Sequence, residues 1–142
     1  MQFEEKIVVV APADVVYSVY QNIAGWPDWD SDVLSSELNG PFETGSKGKL
    51  KPKQGPETKF QLIEVTKNQS FTVECKLPLC KMHFVHEIIP TDQNTEVTNK
   101  IIFSGLLSPL FSRLIGKEIK DTVPASLRGL KEHIENKVPG LA

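Results

Sequence analysis

The segment Trp26-Pro-Asp-Trp-Asp-Ser-Asp32 sets three carboxylates at alternate positions beside two indoles. Three chemistries use such residues. A calcium loop takes oxygen ligands at positions 1, 3 and 5, but also needs Gly at 6 and Glu at 12. Counted from Asp28, those last two positions hold Val33 and Asn39, so the pattern fails as a calcium loop. Paired-carboxylate catalysis needs one acid kept neutral by burial. Here the spacing predicts Asp28 and Asp30 at the start of a short surface helix, where the helix dipole favours an acid. Asp30 and Asp32 then lead into a strand and toward solvent. The third use is apolar: Trp26 and Trp29 supply stacking area that either packs into the core or touches a ligand.

Other candidates lie downstream. His83 and His86 are three apart on an expected strand, so they point to opposite faces and cannot share a metal. Met82, Phe84, His86 and Ile88 form the inward set, which places His86 in a core or a cavity. Glu118 falls in line with Phe111 and Thr122 on an amphipathic helix, within its apolar stripe. A carboxylate there reaches water at a rim, or is paired or protonated inside. The inward residues are otherwise aliphatic and aromatic, with His86, Asn99 and Glu118 as polar exceptions. Lys47, Lys49, Lys51 and Lys53 share one face of an extended strand. They read either as contacts for an anionic partner or as edge-strand protection, helped by Pro52. Cys75 and Cys80 flank a hairpin turn and read as free thiols that could face each other across it. No Gly-rich phosphate loop, GxSxG elbow, HExxH or Cys-His pairing occurs, so neither metal nor cofactor is expected.

The chain has 142 residues, 39% hydrophobic and 24% charged, with a formal charge of −2. That fits one soluble globular domain over residues 1–142 and implies no whole-molecule attraction to nucleic acid or to an anionic membrane. No apolar run reaches the roughly 20 residues that span a bilayer. The N-terminus carries acids where a secretory signal is basic, so a cytoplasmic location is expected.

These residues need elements to position them. A β-branched run over residues 2–10 predicts a strand. Pro12 then opens a helix with Val15, Val16, Val19, Tyr20 and Ile23 at helical spacing, closed by Gly25. A very short helix follows from Trp26. Period-two patterns predict strands near 33–39, 45–53, 57–66, 69–77, 81–90 and 94–104, joined by turns short enough to require antiparallel neighbours. Ser108-Pro109 caps a long helix reaching about Lys137. Its apolar residues fall in two stripes, Leu107, Leu110, Phe111, Leu114 and Ile115, then Ile119, Val123, Leu127, Leu130 and Ile134. Pro124 lies near the phase change, where a kink or break is expected. The class is α+β: a curved antiparallel sheet whose apolar face needs the last helix as cover.

That order, with APADVVYSVYQNIAGWPDWDSDV at the front and NTEVTNKIIFSGLLSPLFSRLIGKEIKDTVPASLRGLKEHIE at the back, resembles the SRPBCC superfamily, most closely its polyketide cyclase/dehydrase-like branch. The resemblance implies a helix-grip fold: seven antiparallel strands wrapped around the C-terminal helix, two short helices between strands 1 and 2, and an apolar cavity between sheet and helix. It implies binding of a small hydrophobic molecule such as a lipid, quinone or polyketide-like compound. The expected ligand contacts are Trp26, Trp29, Phe60, Leu62, Phe71, Val73, Phe84, His86, Ile101, Phe103, Phe111, Leu114, Ile115 and Glu118. The alternatives are a cyclase/dehydrase-type enzyme using His86 or Glu118 as acid or base, and a protein-interaction module of the chaperone-activator kind, which needs an exposed apolar patch.

Overall fold

A computed structural model describes residues 2–137. The chain runs through strand β1 (Gln2–Val9), helix α1 (Ala13–Gln21), a 3-10 helix (Ile23–Asp28), strands β2 (Val33–Asn39), β3 (Lys47–Pro52), β4 (Thr58–Thr66), β5 (Ser70–Leu77), β6 (Cys80–Thr91) and β7 (Asn94–Ser104), and helix α2 (Ser108–Lys137). The strands form one curved antiparallel sheet in the order β1-β7-β6-β5-β4-β3-β2. α1 and the 3-10 helix carry the chain from one edge to the other, and the meander returns it beside β1. The first helix stops at Gln21, before Gly25, which sits inside the 3-10 helix.

Cross-strand register sets which side chains face inward. His86 lies opposite Asn99 on β7 and Phe71 on β5, while His83 faces the other way and bonds Glu74 at 2.9 Å. Cys75 is opposite Met82 and Cys80 opposite Leu77, so the thiols do not face one another across the hairpin. β3 pairs with both β2 and β4, so the lysine ladder does not protect an edge. Pro52 is tolerated because it ends the strand, next to a register shift on β2 where ladder hydrogen bonds lapse. Lys49 lies 3.9 Å from Glu37, and the Lys51 ammonium bonds the carbonyls of Pro52 and Gly55.

α2 covers the inward face with one stripe, not two: Ser112, Gly116, Ile119, Val123, Leu127, Leu130 and Ile134. These recur every three or four residues, as a helix packed along its length requires. The expected first stripe is off by a rotation: Leu110 and Leu114 are exposed, Phe111 and Ile115 only half-buried. The helix also runs unbroken through Pro124. The carbonyl that loses its donor belongs to Lys120, an exposed residue on the side of the helix away from the sheet.

Two glycines let α2 come close. A Cβ at Gly116 would stand 2.7 Å from the ring of Phe3, and one at Gly129 would stand 2.0 Å from the carbonyl oxygen of Trp29. Side chains then fasten the helix. The Ser126 hydroxyl donates to Asp30 at 2.9 Å, and Glu135 accepts from the Val10 amide at 2.9 Å and from Lys131. The short helices are tied down in the same way, by Trp26 Nε1 donating to the Tyr20 carbonyl and by the Ser36 hydroxyl donating to Ile23.

The two glycines differ in what opposes them, which separates two outcomes. Gly129→Ala meets rigid backbone and should destabilise by about 2 kcal/mol or more. Gly116→Ala meets the end of a half-buried ring that can swing aside, and gains up to about 1 kcal/mol of helix propensity. It should be near neutral or stabilising in denaturant unfolding. The reverse ranking would contradict this seating of α2.

Candidate functional site

Between its two glycine contacts α2 presents short side chains, Thr122, Val123 and Ser126, and there a cavity of about 260 Å³ opens against the sheet. Its walls are Trp26, Val33, Leu50, Phe60, Val73, Cys75, Phe84 and Ile101, with Asp30, Asp32, Thr58, His86, Asn99 and Lys100 as polar members. The cavity lies where two buried clusters meet: Cys75, Phe84 and Val123 pack against both.

The polar wall is the chemically informative part. The His86 ring stacks on Phe71 with centroids 4.1 Å apart and planes within 5°, and its edge meets Tyr20 at 5.2 Å. Burial disfavours its imidazolium and lowers its pKa to about 4, although the backbone of Phe71 and Phe84 partly opposes this. His86 is therefore neutral at pH 7. Burial raises the pKa of the Tyr20 hydroxyl, with Asp30 adding to the rise and the Asn99 side chain opposing it. Among the described residues, three buried side-chain polar atoms have no hydrogen-bond partner: Trp29 Nε1, His86 Nδ1 and Asn99 Oδ1. The last two belong to cross-strand neighbours on the cavity wall. An unpaired buried polar atom costs about 1–3 kcal/mol.

Asp30 is the site residue that the sequence reading set in solvent. Asp28 ends the 3-10 helix rather than starting it. The buried rings of Trp26 and Trp29 turn the following residue under α2. Asp30 is consequently half-buried, accepting from Ser126 and from the Asp32 amide, at 2.9 and 3.0 Å. Burial raises its pKa, with those two hydrogen bonds opposing the rise. Glu118, expected in the apolar stripe either at a solvated rim or inside, is exposed, as is Leu114.

Of the expected contacts, the structure brings Trp26, Phe60, Val73, Phe84, His86 and Ile101 together on the cavity wall. Trp29, Leu62 and Phe71 are buried in the main core beside it, and Phe71 reaches the site through its stacking on His86. Phe103, Phe111 and Ile115 belong to the second cluster, away from the cavity. Asp30, Thr122 and Ser126 were missed. The polar pair Thr122 and Ser126, one turn apart and adjacent to the inward stripe, was the available signal.

The family described as polyketide cyclase/dehydrase and lipid transport matches residues 1–135. The chain belongs to this family, and with it to the SRPBCC superfamily of START-like proteins. No curated protein matches it in sequence. Among solved structures, the Zhui aromatase/cyclase of Streptomyces sp. R1128 is similar at TM-score 0.80 and 16% identity, over 99% of this chain and 96% of that one. A START superfamily protein of Mycobacterium smegmatis follows at TM-score 0.76 and 14% identity, over 96% and 99%. Truncated norcoclaurine synthase of Thalictrum flavum gives TM-score 0.75 and 16% identity, over 95% and 93%. At such identities the likeness establishes the shared helix-grip fold.

The state of His86 has a pH signature. The unfolded chain takes up this proton near pH 6.5 and the folded one only near 4. Between those values the unfolded state binds more protons, so the contribution is full above 6.5 and is lost as pH falls toward 4. Asp30, with its raised pKa, acts in the opposite direction. His86→Phe retains the stack on Phe71 and should lose less stability than wild type between pH 6.5 and 4 in denaturant titrations. Parallel losses would show that His86 is not held neutral by the fold.

Proposed function

We propose that the protein binds a small, neutral, mostly apolar molecule in the cavity under α2, and that this molecule carries a hydroxyl or similar hydrogen-bond donor. The observation that carries this reading is the pair of unpartnered buried atoms, His86 Nδ1 and Asn99 Oδ1, on side chains of a largely apolar wall whose other polar members include Asp30, Asp32, Thr58 and Lys100. Apolar burial supplies affinity, at about 25 cal/mol per Å², and the polar pair supplies orientation. Asn99 Oδ1 only accepts, and Asp30 adds negative charge nearby, so a ligand carboxylate is disfavoured. Neutral His86 complements a second polar atom of either kind. A volume of about 260 Å³ suits a one- or two-ring compound or a short chain rather than a two-chain lipid.

A second reading, an acid–base enzyme of the cyclase/dehydrase type, draws support from Asp30 and His86. Their pKa values are displaced toward one another, Asp30 upward and His86 downward, and both face the same cavity. In that case the cavity ligand is a substrate that leaves changed. Glu118, being exposed, has no part in it.

Three probes of one shape separate the contributions. 2-Naphthol should bind more tightly than naphthalene by about fivefold, the effect of one net hydrogen bond, and 2-naphthoate should bind most weakly. Asn99→Leu should abolish the preference for naphthol while leaving naphthalene affinity near wild type. Fluorescence titration reads all three. Equal affinities for the three compounds, or no binding of any, would remove the basis for the donor-bearing ligand.

A further inference from the structure

Four leucines stand exposed at one end of the molecule: Leu79 at 64%, Leu106 at 80%, Leu110 at 49% and Leu114 at 67%. Leu79 and Leu106 are neighbours. The Leu107 amide donates to the Leu79 carbonyl at 3.0 Å, and Gly105 packs so closely that a Cβ there would meet the same carbonyl oxygen at 2.7 Å. Leu110 and Leu114 lie one turn apart on the side of α2 away from Ser112, Gly116 and Ile119, and Leu106 stands in the turn just before the helix. None of the four lines the cavity.

Leu79 is the most informative of them. It occupies the β5–β6 turn with φ 54. That conformation is strained for a bulky side chain, and turns that need it favour Gly or Asn. An exposed leucine at that position helps neither the turn nor the core.

The charges around the patch are of one dominant sign. Lys76 and Lys81 are exposed cross-strand partners at the base of the same hairpin, and exposed Arg113 and Lys117 flank the leucines on α2. Exposed Glu118 and Asp121 follow on α2 beyond Leu114, and Glu74 is engaged by His83. Exposed leucines bordered by lysine and arginine combine apolar insertion with attraction to phosphate, the two forces that hold peripheral proteins on anionic bilayers. We infer that this end of the molecule docks on an anionic lipid bilayer, with Leu79, Leu106, Leu110 and Leu114 at the headgroup–acyl boundary. Lys76, Lys81, Arg113 and Lys117 face the phosphates.

The test is co-sedimentation of the full chain with vesicles of equal parts phosphatidylglycerol and phosphatidylcholine, against pure phosphatidylcholine. The wild type should bind the anionic vesicles, release them as salt rises, and bind the neutral ones at least about tenfold more weakly. Leu79→Gly relieves the turn, so its thermal stability should match or exceed wild type while its vesicle affinity falls about tenfold. The double variant Leu106→Ser, Leu114→Ser should lose binding with its fold intact by circular dichroism. Lys47→Glu with Lys53→Glu, at the two ends of β3, should leave binding unchanged. No vesicle binding by wild type, undiminished binding by the leucine variants, or loss confined to the β3 pair would each overturn the proposal. So would a wild-type dimer in light scattering that the leucine variants turn into monomer without any vesicle binding, which would assign the patch to a second copy of the chain.

Discussion

The structure depends on how α2 is seated. It packs closely at two places, through Gly116 against Phe3 of β1 and through Gly129 against the backbone of Trp29, just after the 3-10 helix. Thirteen residues of helix, roughly 20 Å, separate them. Close packing at both ends, with Thr122, Val123 and Ser126 between them, leaves a gap that no side chain of the helix fills. Glycine in a helix interior costs about 1 kcal/mol against alanine, and at Gly129 no larger residue fits. The cavity is a consequence of that geometry.

The same seating explains the polar chemistry. The Ser126–Asp30 hydrogen bond brings the turn after Trp29 under the helix, which buries half of a carboxylate and raises its pKa. On the facing wall, β6 and β7 set His86 beside Asn99, and the Phe71 ring closes over His86. The aromatic cluster of Tyr20, Trp26, Trp29, Phe42 and Phe71 holds this wall, each favourable ring pair adding about 0.5–1.5 kcal/mol beyond burial. Desolvation, rather than a charged partner, is the main influence on both His86 and Asp30.

Much of the fold was legible from periodicity. Period-two patterning marks most strands, although both faces of 57–66 carry apolar residues, the turns carry Gly, Pro and Asn, and Ser108-Pro109 marks the start of α2. The inward position of His86 followed from the same alternation. The rotation of α2 was not legible, because hydrophobicity alone favours Leu110 and Leu114 as the buried face. The true face uses Ser112 and Gly116, where small size rather than apolar character decides. Asp30 was missed because its burial depends on Ser126, 96 residues away, and no local pattern reports such a pair. The lysine strand was misread because strand order, which alone decides what is an edge, comes from the return path of the meander.

The central claim is that the gap under α2 admits a small neutral molecule. Native mass spectrometry of freshly purified protein, followed by denaturation and extraction, tests it directly. An added mass of one- or two-ring or short-chain size, retained under gentle ionisation and released on unfolding, is the expected result. Bare protein that also takes up no 2-naphthol added before ionisation would contradict it, and would mean that the walls close on one another.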